Sequence, residues 1–140
     1  MIRVKTLALL AAIATSAYTA DLTITIKDVR NSDGAVLLAV YDSEAHFMKP
    51  PLATTSRRVA AAKGDVTVVL QDLPAGKYAI ASFHDENGNG KLDTNSFGQP
   101  TEGHGFSNGA RGSMGPPSFT EAAFEFDGKT SKAIAFSLNY

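Results

Sequence analysis

Short apolar segments, each closed by a turn signal, constrain this chain more than any other feature. Leu22-Thr23-Ile24-Thr25-Ile26-Lys27 alternates apolar and polar with period two, as a strand with one buried face must. Asn31-Ser32-Asp33-Gly34 supplies a turn, and the nearly continuous apolar run at 35–41 follows. Its β-branched content and the preceding glycine favour a central strand over a helix. Further strands are expected at 56–61, 66–70, 77–84, 122–126 and 132–138. Lys63-Gly64-Asp65 and Asp127-Gly128 read as hairpin connections. One helical turn is expected over 42–48, stopped by Pro50-Pro51. Phe124, Phe126, Ile134, Phe136 and Leu138 are expected to share the core side. The pattern predicts an all-β fold: an antiparallel, seven-stranded Ig-like or transthyretin-like β-sandwich with one long irregular loop.

The first 20 residues read differently. Arg3 and Lys5 precede the apolar run 7–14, and small residues lead to Ala20. That is the three-part plan of a secretory signal peptide, and the run is too short for a membrane span. The expectation is an exported protein, periplasmic or secreted, with residues 21–140 as one β-sandwich domain. Without Arg3 and Lys5, 11 basic residues face 14 acidic ones, which excludes the basic face that nucleic-acid binding needs. There is no cysteine, so an exported domain of this size must be held by packing, or by a bound ion.

The candidate site begins where the fifth strand should end. Asp85, Asn87 and Asn89 put side-chain oxygens at alternate positions, and Gly90 takes the sixth place, as in the first half of a calcium loop. A hard cation needs six to eight oxygens at about 2.3–2.6 Å, and a curled loop aims every second side chain inward. The Lys91 carbonyl and Asp93 extend the set. Ser96 stands where the bidentate acid is usual, so Glu102 is the candidate for the missing ligand. Calcium is the expected ion, because the ligands are all oxygen. Against this, Asp, Asn and Gly also make good turns without any metal.

Other chemistry is less well supported. His84, Asp85 and His104 offer a metal site or a hydrolase-like base, but their spacing is not diagnostic. No G-x-S-x-G elbow and no phosphate-loop fingerprint is present. The glycine-rich tract 103–117 reads as part of an ordered long loop, 85–118, anchored by Phe97, Phe106 and Phe119, with Arg111 available to pair with Glu102 or another loop acid. Tyr41, Tyr78 and the phenylalanines could instead stack on sugars, although at strand positions such rings are more often core.

Several segments carry a resemblance: Leu73–Ile80, His84–Asn95, Gly98–Asn108, Gly115–Phe119 and Ala122–Phe124. Together they resemble the bacterial domain-of-unknown-function family 2141, a group of small exported proteins. That family usually has an aromatic where this chain has His104, which argues against a metal role for this histidine. The resemblance implies a β-sandwich and no particular activity. The leading expectation is a non-enzymatic structural or binding module with a calcium-stabilised loop. The alternatives are a glycan or cell-envelope binding module, and an enzyme built on His84, Asp85 and His104.

Overall fold

The computed structural model describes residues 20–140. The expected signal peptide lies outside the described residues, apart from Ala20. Among the described residues no helix is long and apolar enough to cross a membrane.

Eight strands form two facing sheets. They are β1 (Leu22–Val29), β2 (Ala35–Tyr41), β3 (Thr55–Ala60), β4 (Gly64–Leu70), β5 (Gly76–Asp85), β6 (His104–Phe106), β7 (Phe124–Phe126) and β8 (Lys132–Ser137). One sheet has the order β4-β1-β8. The other has the order β3-β2-β5-β6, with β7 also on β5. The expected all-β sandwich is therefore present, with one strand more than the seven read from the sequence. The extra strand, β6, lies inside the tract expected to be irregular.

Period two explains the inward face of each strand. Leu22, Ile24 and Ile26 of β1 are buried, while Thr23 and Thr25 point away. Between Ile26 and Val29 the register with β4 shifts by one residue, and Asp28 adopts φ 62°. This bulge returns Val29 to the core side. Opposite stand Val36, Leu38 and Val40 of β2 and Tyr78 and Ile80 of β5. Each such aliphatic side chain, fully buried, contributes about 1.5–3 kcal/mol. Phe124, Phe126, Phe136 and Leu138 are buried as expected, and Ile134 packs partly buried against them.

The connections differ from the sequence reading. Lys63-Gly64-Asp65 and Asp127-Gly128 do not close hairpins, because β3 and β4, and likewise β7 and β8, belong to different sheets. Each turn instead carries the chain across the core, which local turn chemistry cannot distinguish from a hairpin. β8 pairs with β1 in parallel, the one exception to antiparallel pairing between the named strands. Residues 42–48 do form the one expected helical turn, closed by the Phe47 N–H on the Ser43 carbonyl at 3.0 Å, and it does not extend into a longer helix. Pro50–Leu52 is a 3-10 turn, since proline suits a first helical position.

A second apolar cluster covers the outside of the larger sheet. Phe106 and Phe119 pack there with Ala79 and Ala122, and Phe47 joins them edge-on. The short helix α1 (Phe119–Ala122) starts with a capping box: Glu121 N–H donates to Ser118 Oγ at 3.2 Å, and Ser118 N–H to Glu121 Oε2 at 2.8 Å. Ser107, fully buried, ties these pieces together. Its Oγ accepts the Ile80 N–H at 2.9 Å and donates to the Ala122 carbonyl at 2.5 Å.

Candidate functional site

The oxygen-rich loop opens directly from the last residue of β5. Asp85 is fully buried there. Its Oδ1 accepts the Asn89 N–H at 3.2 Å, and its Oδ2 accepts the Gly90 N–H at 2.8 Å and one N–H of Arg58 at 3.4 Å. A carboxylate taken from water needs such partners, and here two backbone donors and a guanidinium provide them. Gly90 has φ 76°, so the sharp turn expected of the sixth position is made.

The side chains above Asp85 converge on Asp93. Asn89 Nδ2 donates to Asp93 Oδ1 at 2.7 Å, and Asn87 Nδ2 donates to Asp93 Oδ2. The amide oxygens point back into the loop: Asn87 Oδ1 accepts the Asn89 N–H at 3.3 Å, and Asn89 Oδ1 accepts the Lys91 N–H at 3.0 Å. Glu102 returns to this loop from across the long connection. It is buried, and its two oxygens accept the Glu86 N–H at 2.7 Å and the Asp93 N–H at 3.0 Å. The loop is thus braced from inside by Asp85 and from outside by Glu102.

Asp85, Asn87, Asn89, Asp93 and Glu102 are therefore all brought together, with Lys91 in the same curl. Among the described residues no group of three or more His, Cys, Asp or Glu side chains is set to hold a metal. A cation here would rest on amide and carbonyl oxygens as much as on carboxylates, which suits a hard ion and not a soft one.

The three residues of the enzyme alternative do not meet. His84 is fully buried on the inner face, with Nε2 2.6 Å from the Asp33 carbonyl and Nδ1 2.8 Å from the Tyr140 hydroxyl. A carbonyl only accepts, so Nε2 carries the proton and Nδ1 accepts from Tyr140. The same hydroxyl accepts the Arg30 N–H at 3.0 Å. Both nitrogens of His84 are thereby engaged in structure. His104, on β6 opposite Phe83, has its Nδ1 3.4 Å from the Glu102 carbonyl and its ring edge-on to Phe106. Neither imidazole bonds to Asp85.

A charged fringe lies beside the loop. Glu86 pairs with Arg30 at 2.6 Å and accepts from Asn31 at 3.2 Å. Burial pushes the Glu86 carboxyl up, but the hydrogen bonds from Asn31 and Arg30, together with nearby positive charge, chiefly that of Arg30, outweigh it and leave the group below its ordinary range. Gly34 passes so close to the end of β5 that a Cβ would lie 2.0 Å from the Asp85 carbonyl oxygen, and its φ is 64°. Burial likewise raises the Tyr140 phenol.

Two of the three expected loop anchors hold. Phe106 and Phe119 are buried, whereas Phe97 is 87% exposed. Phe97 sits on the turn 95–98, where Asn95 Oδ1 accepts the Phe97 N–H at 2.9 Å and the Gln99 N–H at 3.0 Å. Tyr41 is buried too, so of Tyr41, Phe97, Phe106 and Phe119 only Phe97 offers a face to a sugar. Arg111 does not pair with Glu102; it donates to Asn139 Oδ1 at 2.5 Å. Arg58 and Tyr140 escaped the sequence reading, because nothing local links either to residues 27 and 56 positions away.

A two-sheet β-sandwich whose one long connection is curled around Asp and Asn oxygens is the class that this fold and loop define. The chain belongs to the family described as "Uncharacterized protein conserved in bacteria (DUF2141)", whose model matches residues 24–134. The match takes in the whole of the 85–118 segment, and the resemblance read from the sequence is borne out. No curated protein and no solved structure matches the chain.

Proposed function

We propose that this protein is a non-enzymatic, exported binding module whose long connection is stabilised by calcium. The observation that carries the reading is the convergence of Asn87 and Asn89 on the carboxylate of Asp93, above the buried Asp85. Turning the two amides about χ2 exchanges N–H for oxygen and surrounds one point with side-chain oxygens, to which the Lys91 carbonyl can add. The N–H bonds that hold Asp85 and Glu102 would remain, so the ion would add to a loop that is already curled. Export rests on the N-terminal sequence pattern. With only two carboxylates beside the ion, affinity belongs to the weak range of extracellular modules, about 10⁻⁴–10⁻³ M. A calcium titration followed by amide NMR tests the reading: saturable shifts confined to residues 85–93 are expected, and unmoved spectra at millimolar calcium would refute it.

A further inference from the structure

On the outside of the larger sheet, the long connection leaves a cleft of about 400 Å³ between β6 and the segments 92–100 and 110–116. Its walls are largely apolar, with Met48, Leu92, Pro100, Phe106 and Pro116 among them. Its polar groups form one connected corner. Arg111 Nη2 donates to Asn139 Oδ1 at 2.5 Å, and the backbones of Asn139 and His104 exchange hydrogen bonds at 2.9 and 3.0 Å. No acidic residue lines the cleft, and among the described residues no carboxylate pairs with Arg111. One N–H of its guanidinium is bound to Asn139, which leaves others free for a planar anion.

We propose that this cleft is a binding site for a small amphipathic carboxylate, its hydrocarbon body against Met48, Leu92 and Phe106 and its carboxylate on Arg111. The volume lies at the lower end of the range for ligand sites, and an apolar site with a few convergent polar groups is their usual composition. The charge complementarity is one-sided: an anion gains the unpaired guanidinium, and a cation of the same body meets like charge. The site uses none of the calcium-loop side chains Asp85, Asn87, Asn89 and Asp93, so it stands or falls separately from the calcium reading.

Decanoate, kept monomeric in chelator-containing buffer, is the probe, with decyltrimethylammonium as the oppositely charged control. Titration followed by methyl NMR should give saturable shifts at Met48 and Ala110 with decanoate and none with the cation. Arg111→Gln, at an exposed position, should weaken decanoate by about tenfold while leaving the melting curve unchanged. Ala110→Leu, which fills the cleft, should abolish the shifts, with folding checked by the same melt. Equal binding of both amphiphiles, decanoate affinity unchanged by Arg111→Gln, decanoate shifts that persist in Ala110→Leu, or no saturable binding at all would overturn the proposal.

Discussion

The buried carboxylate of Asp85 accepts the backbone N–H of Gly90 at 2.8 Å, and this bond closes the curl of the loop upon its own first residue. The same carboxylate takes the Asn89 N–H and a guanidinium N–H of Arg58. Asp85→Asn keeps the shape but removes the charge and turns an amide N–H toward donors. The expected loss is about 2–4 kcal/mol, measured by urea unfolding. A loss below half a kilocalorie would mean that the loop is held elsewhere.

Glu102 braces the loop from the opposite side through the N–H groups of Glu86 and Asp93. Glu102→Gln leaves one of those donors facing an NH₂ group, a cost of about 1–3 kcal/mol. Hydrogen exchange resolves this locally. The Glu86 and Asp93 amides should lose protection, while those of β1 and β4, in the other sheet, should keep theirs.

Ser107→Ala should strand a buried donor. The Ile80 N–H has the Ser107 hydroxyl as its partner, and the same hydroxyl bonds to the Ala122 carbonyl. A methyl group satisfies neither, so about 1–3 kcal/mol of stability should be lost. Glycine at 107 would add a backbone penalty, which makes alanine the cleaner substitution.

Asp127 gives a pH-dependent test. The backbone N–H groups of Thr130 and Lys129 bond its carboxylate and hold it below the ordinary range. A group depressed in the folded state contributes stability above its unfolded pKa and loses it as pH falls through the folded value. The difference in Tm between the parent and Asp127→Ala should therefore be present at neutral pH and shrink in acid, below pH about 4. A difference that grows in acid would contradict the assignment.

Much of the fold was legible because period two is a local property. The inward set Leu22, Ile24 and Ile26 follows from their spacing alone, as does the burial of Phe124 and Phe126. What escaped depends on distant partners. Whether Asp127-Gly128 folds back or crosses the core is decided by the parallel pairing of β8 with β1. Strand β6 is only three residues long and takes its pairing from β5, so no periodicity marks it. The helix α1 was not expected: Ser118 and Glu121 stand at capping-box spacing, but four helical residues carry no apolar period, and Ala122 falls in the helix and not in the strand expected over 122–126. At the site, Asp85, Asn87, Asn89 and Asp93 declared themselves by spacing. The geometry adds that Glu102 reaches the loop through backbone N–H groups, and that His84 is committed to Tyr140 and Asp33.

Thermal unfolding with calcium and with chelator is the sharpest test of the proposal that calcium stabilises this fold through the 85–93 loop. An ion bound only by the folded state, at a hundred times its Kd, contributes about 2.7 kcal/mol, a rise in Tm on the order of ten degrees for a domain of this size. At ten millimolar calcium a clear upward shift is expected, absent in Asp93→Ala. Identical melting temperatures in calcium and in chelator would contradict it.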